Sequence, residues 1–226
     1  YPANTIRDVS GNALTGITEL AGGDGNNTIT AGSSSYMRGN GGDDTLTGGS
    51  NNDTLNGSSG ADVLNGSYGA DLITLNDGTT RSTDTVKVGR GWYGGGESPI
   101  LGYDEVVFFD VSNAGGVNND ILNLPSGTIA PDAGIVAAAT AVNGIAKYSI
   151  AGGILSFYDV NGAPILINSS TKADALKFLS TNFTQPAATV GFALDSDNNG
   201  YSDSLMVFQD GVSINGTGYS DIAVQM

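Results

Sequence analysis

The chain has 226 residues, a formal net charge of −15 and 39% hydrophobic residues, enough to bury a core in one large domain or two small ones. It has no Cys and no His, which excludes a disulfide framework, thiol nucleophiles, and the triads and zinc-water hydrolases that depend on His. Its eight Lys and Arg are scattered singly, so no basic stripe marks a nucleic-acid partner, and no apolar run approaches the roughly 20 residues needed for membrane insertion.

Residues 1–21 open YPANTIRDVS, with neither an initiator Met nor an apolar signal core, and read as a strand and lead-in within a fragment or processed product. A repeat follows. Asp44, Asp53, Asp62 and Asp71 lie nine residues apart, each followed two positions later by an apolar residue: Leu46, Leu55, Leu64 and Ile73. The rows are GNGGDDTLT (39–47), GGSNNDTLN (48–56), GSSGADVLN (57–65) and GSYGADLIT (66–74). Upstream, GGDGNNTIT (22–30) fits with Asn27 at the Asp position, and AGSSSYMR (31–38) is one residue short, with Met37 at the apolar position.

The period has a physical meaning. Each unit is a Gly- and Asp-rich half that turns, then a short strand with one inward apolar residue. Such strands are too short to bury a face alone, so they stack, two units to each turn of a parallel coil. Loops of alternate units then lie above one another. Their Asp side chains and carbonyls form an oxygen cage suited to Ca²⁺. The acid usage agrees: twenty Asp against three Glu (Glu19, Glu97, Glu105). A flexible linker would not hold Asp and Leu at a fixed phase.

These units resemble the nonapeptide repeats of the repeats-in-toxin (RTX) family, consensus G-G-x-G-x-D-x-U-x. Ser58 and Ser67 replace the second Gly, and Asn51 the third. The resemblance implies a parallel β-roll over 22–78 that binds several Ca²⁺ ions, with Asn27, Asp44, Asp53, Asp62 and Asp71 at the ligand position.

Beyond the roll, Thr85–Val88 reads as a strand, and GRGWYGGGESP (89–99) as a surface loop that lacks a Walker lysine. YDEVVFFDV (103–111) and DILNL (120–124) are similar to the segments that follow the roll in serralysin-type domains, with Phe108 where that pattern often carries an acid. The Ala-rich stretch 130–142 predicts a helix that begins near Pro131. Residues 146–160 predict a hairpin around Gly152-Gly153, 165–167 a strand, and 171–179 an amphipathic helix capped by Thr171, with Leu176 and Leu179 on one face. Residues 195–208 carry D-x-D-x-N-G-x-x-D. Asp195, Asp197, Asn199 and Asp203 point oxygens inward around a bend at Gly200, and Met206 stands where an EF-hand needs Glu. This loop resembles short calcium loops of thrombospondin-like repeats and of serralysin-like and S-layer RTX proteins. The ending SDIAVQM resembles the acidic-then-apolar signal of type I exported RTX proteins.

The expected fold class is mainly β: a parallel roll of nonapeptide repeats continuing over 79–226 into a β-rich part with one or two short helices. Three functions fit the resemblance. The first is a non-enzymatic module of a secreted cell-surface protein, S-layer or adhesin, with self-assembly or a surface polysaccharide as partner. The second is the non-catalytic tail of an exported protease, lipase or alginate epimerase. The third is a carbohydrate-binding module.

Overall fold

The computed structural model describes residues 5–6, 19–32, 35–78, 81–87, 104–109, 119–124, 128–183, 188–209 and 222–226. The expected loop 89–99, most of the lead-in 1–21 and the first part of the C-terminal signal lie outside them. The chain divides into two compact units, one of residues 1–91 with 104–124, the other of 92–103 with 125–226.

The first unit is a coil of short parallel strands: β1 (Thr5–Ile6), β2 (Leu20–Ala21), β3 (Thr28–Thr30), β4 (Tyr36–Gly41), β5 (Thr45–Thr47), β6 (Thr54–Ser59), β7 (Val63–Asn65), β8 (Leu72–Thr74), β9 (Thr85–Lys87), β10 (Asp104–Val107) and β11 (Ile121–Asn123). Odd strands form one sheet in the order β1-β3-β5-β7-β9-β11, and even strands the other, β2-β4-β6-β8-β10. The register is set by the apolar residue of each unit. Ile29 pairs with Leu46, Leu46 with Leu64, and Leu64 with Val86; on the other face Met37 pairs with Leu55 and Leu55 with Ile73. All of these side chains are fully buried. Each strand is flanked by exposed or half-buried residues, so the roll has a core one side chain wide per strand. Parallel stacking continues through β9, β10 and β11, beyond residue 78, where the sequence places the end of the roll.

The second unit contains β12 (Thr128–Ile129), β13 (Ala133–Val142), β14 (Ile145–Ala151), β15 (Ile154–Tyr158), β16 (Pro164–Ile165), β17 (Ile167–Asn168), helix α1 (Lys172–Asn182), β18 (Ala188–Asp195), β19 (Ser204–Gln209) and β20 (Ile222–Gln225). Its sheet runs β13-β14-β15-β18-β19-β20. The helix buries Ala175, Leu176, Phe178 and Leu179 in a core with Phe157, Phe183, Phe192 and Phe208. Edge-to-face ring pairs, such as Phe157–Phe192 at 5.2 Å between centroids, add to the burial.

Two local expectations are corrected here. Residues 133–142 form a strand, not a helix. Asn143 and Gly144 hold φ of 43° and 92°, the left-handed pair of a two-residue hairpin turn, and β13 pairs with β14 across it. That turn, with Ile135, Val136, Thr140 and Val142, outweighs the helix preference of the alanines. Thr171 sits at the N-cap of α1 but makes no side-chain cap bond. Its hydroxyl turns back to Asn168, accepting from the Asn168 backbone N–H at 3.0 Å.

Candidate metal centre

Each strand from β5 to β11 is immediately preceded or begun by an aspartate, and backbone N–H groups fix that aspartate above its counterpart one coil away. Two columns result. In the first, the Asn27 N–H donates to Asp44 Oδ1 (2.7 Å), Asp44 N–H to Asp62 Oδ1 (2.8 Å), Asp62 N–H to Asp84 Oδ1 (2.8 Å) and Asp84 N–H to Asp120 Oδ1 (2.9 Å). In the second, Ser35 N–H donates to Asp53 Oδ1 (2.7 Å), Asp53 N–H to Asp71 Oδ1 (2.7 Å) and Asp71 N–H to Asp104 Oδ1 (3.1 Å). The structure thus divides the five predicted roll residues by face: Asn27, Asp44 and Asp62 on one, Asp53 and Asp71 on the other. Asp84, Asp104 and Asp120 extend the columns and were missed because the insertions before them break the nine-residue phase. Their signal was present as Asp-x-apolar triplets: Asp84-Thr85-Val86, Asp104-Glu105-Val106 and Asp120-Ile121-Leu122.

The second oxygen of each carboxylate is different. Among the described residues, Oδ2 of Asp44, Asp62, Asp71 and Asp84 is buried without a hydrogen-bond partner. The cradle for these atoms is made by glycine five residues upstream: a Cβ on Gly39, Gly57 or Gly66 would overlap Oδ2 of Asp44, Asp62 or Asp71. Asp53 Oδ2 accepts from the Gly49 N–H at 2.9 Å. Burial is the first cause that raises the pKa of these groups. It pushes Asp62 up to about 8 and Asp71 and Asp84 to about 7, against backbone hydrogen bonds that pull the other way. Neighbouring carboxylates add to the rise: Asp84 and Asp44 for Asp62, and Asp104 and Asp53 for Asp71. Asp44, Asp53 and Asp104 are raised by burial as well.

A buried carboxylate column with unpaired oxygens is unfavourable unless it is protonated or neutralised by a cation. The donors are all oxygens, which suits a hard cation rather than a transition metal. Calcium held by Asp44, Asp62, Asp71 and Asp84 would supply the positive charge that keeps the carboxylates ionised. The residues therefore fit the ion.

In the second unit, one carboxylate oxygen each from Asp195, Asp197 and Asp203 lies within 4.8 Å of the others. Asp195 is buried and accepts from the N–H groups of Asn199 (3.0 Å) and Gly200 (2.8 Å). Asp203 accepts from the Ser196 N–H at 2.8 Å, which holds its carboxyl below the usual range. Asn199 belongs to the loop but turns its amide nitrogen to Asp197 Oδ2 (3.0 Å), and its oxygen accepts from the Tyr201 N–H (2.8 Å).

The family description "RTX calcium-binding nonapeptide repeat (4 copies)" matches residues 13–35, 36–64 and 56–79. No curated protein and no solved structure matches the chain. RTX repeats bind Ca²⁺ and occur in secreted proteins. With its strands stacked in parallel and its aspartates buried in register, the segment over residues 22–74 is a β-roll of RTX calcium-binding repeats.

Proposed function

We propose that the chain is the non-enzymatic, calcium-triggered folding and export module of a secreted cell-surface protein of the S-layer or adhesin type. The observation that carries this reading is the unpaired Oδ2 of Asp44, Asp62, Asp71 and Asp84 inside the roll. Asp44, Asp53, Asp62 and Asp71 are the proposed ligands in the roll, and Asp195, Asp197, Asn199 and Asp203 those of a separate loop site.

Extracellular calcium modules bind with dissociation constants of about 10⁻⁴–10⁻³ M. At cytosolic calcium such sites stay empty, and repulsion among the aspartates keeps the acidic chain open enough to thread an exporter. Millimolar calcium outside then fills the sites, and folding opposes backsliding. The C-terminal stretch 215–226 carries the export address. Within it, Ile222–Gln225 pair with β19 in the folded unit, so the address is accessible before that unit closes.

The test fuses this chain to an inert cargo in a host with a matching type I exporter. Cargo should leave the cell, and deleting 215–226 should retain it. A purified sample should gain β circular dichroism on addition of millimolar Ca²⁺. Identical spectra with Ca²⁺ and with EDTA would refute the calcium trigger, and equal export without 215–226 would refute the address.

A further inference from the structure

Asn27 heads the column that continues through Asp44, Asp62 and Asp84, and its side chain is bonded differently from the carboxylates in that column. It occupies the same cradle. A Cβ on Gly22, five residues upstream, would lie 3.0 Å from Asn27 Cγ and 3.2 Å from its Nδ2, just as Gly39 and Gly57 leave room for Oδ2 of Asp44 and Asp62. Those two Oδ2 atoms have no partner there. Asn27 Nδ2, in contrast, donates to the carbonyl of Gly23 (3.2 Å) and to that of Gly25. The side chain is buried, and its backbone N–H still joins the column through Asp44 Oδ1.

The chemistry of the two side chains explains the contrast. A carboxylate is acceptor-only, so next to loop carbonyls it presents oxygen to oxygen and requires a cation between them. A carboxamide carries its own donors. The two N–H bonds of the –NH₂ group match the two carbonyls, and no charge is buried. We infer that the Asn27 carboxamide takes the place of a carboxylate with its cation, so that unit 22–30 is a metal-free cap and the calcium column begins at Asp44. Asn27 then leaves the set of predicted ligands. The inference rests on the calcium reading of the roll. The capped coil stays closed at any calcium concentration and offers the first calcium-dependent coil a formed edge, through Gly22 N–H to the Arg38 carbonyl (2.8 Å) and Thr45 N–H to the Asn27 carbonyl (2.8 Å).

The experiment counts ions bound to the full chain at saturating CaCl₂, by native mass spectrometry and by calorimetric titration, for the wild type, Asn27→Asp, Asn27→Ala and Asp62→Ala. Asn27→Asp should bind one ion more than the wild type and need more calcium to fold. Asn27→Ala should bind the wild-type number and melt at a lower temperature both with and without calcium. Asp62→Ala should lose bound calcium. Loss of an ion in Asn27→Ala, or no gain in Asn27→Asp, overturns the cap while leaving the calcium reading intact. An unchanged count in Asp62→Ala removes that reading and the cap with it.

Discussion

Ser58 and Ser67 hold φ of 69° and 78°, the left-handed region that a glycine at the second repeat position occupies without strain. An L-residue there costs about 1–2 kcal/mol, against which the extra freedom of an unfolded glycine counts for less. Ser58→Gly and Ser67→Gly should each raise stability by about 0.5–1 kcal/mol in saturating calcium, read from urea midpoints. A fall would mean that the serine hydroxyls matter more than the backbone. The aspartates set the response to pH. Asp62, Asp71 and Asp84 titrate near 7–8 in the folded roll, above the ordinary carboxylate value of 3.8. Between those limits the folded chain holds protons that the unfolded chain releases, so without calcium, stability falls as pH rises from about 4 to 8. Each tenfold displacement of a proton equilibrium is worth about 1.4 kcal/mol. Calcium competes with those protons and should reverse the trend. In calcium-free buffer the urea midpoint at about pH 5 should exceed that at about pH 8, and in saturating calcium it should be lower. Equal calcium-free midpoints would show that the buried carboxyls do not govern the fold.

At the scale of the element, glycines differ by what lies opposite them. A Cβ on Gly57 or Gly66 meets a carboxylate pinned by its neighbour's N–H, whereas one on Gly23 meets nothing within 4 Å. Gly57→Ala should therefore destabilise the roll by about 1–3 kcal/mol and weaken calcium binding, with Gly23→Ala within about 0.5 kcal/mol of the wild type. Equal effects in thermal melts would mean that the cradle is not tight. Most of the roll was legible because Asp44 to Asp71 and Leu46 to Ile73 keep one phase, and a period of nine with a single inward residue has few other foldings. Legibility ended where phase did. Asp84, Asp104 and Asp120 keep the local triplet, but they stand 22, 33 and 36 residues from their column neighbours Asp62, Asp71 and Asp84. Strand β13 was misread because six of the residues in 130–142 are alanine, a helix former, while the deciding signal, Asn143-Gly144, lies just past it. The hairpin at Gly152-Gly153 was read correctly from the same kind of signal, with φ of 58° and 79°.

At the scale of the molecule, the two units are held by different forces. The first stacks single apolar residues and buries carboxylates; the second packs five phenylalanines with aliphatic side chains around α1. Removing calcium should abolish amide protection over 39–87 and leave it in the cap at 22–30 and over 133–209, as read by hydrogen exchange. Simultaneous loss over 39–87 and 133–209 would show that the second unit depends on the first. Changing both Asp195 and Asp197 to Ala should remove about one ion and leave protection over 22–87 intact; an unchanged ion count would make that loop a simple turn. The two-column stacking also restricts how the roll can change length. Successive members of a column stand 18 residues apart where the units between them have nine residues each. Excising residues 48–65 removes one full coil and preserves which sheet every later strand joins. Excising 57–65 alone exchanges the sheets of all strands that follow, and moves Asp71 from its place beneath Asp53 to the place of the lost Asp62 beneath Asp44. Growth at the turns obeys no such parity, as the separations of 22, 33 and 36 residues show. A roll of this kind can lengthen in evolution by duplicating even numbers of units or by swelling its loops, and odd duplications are filtered out wherever the two faces must remain distinct.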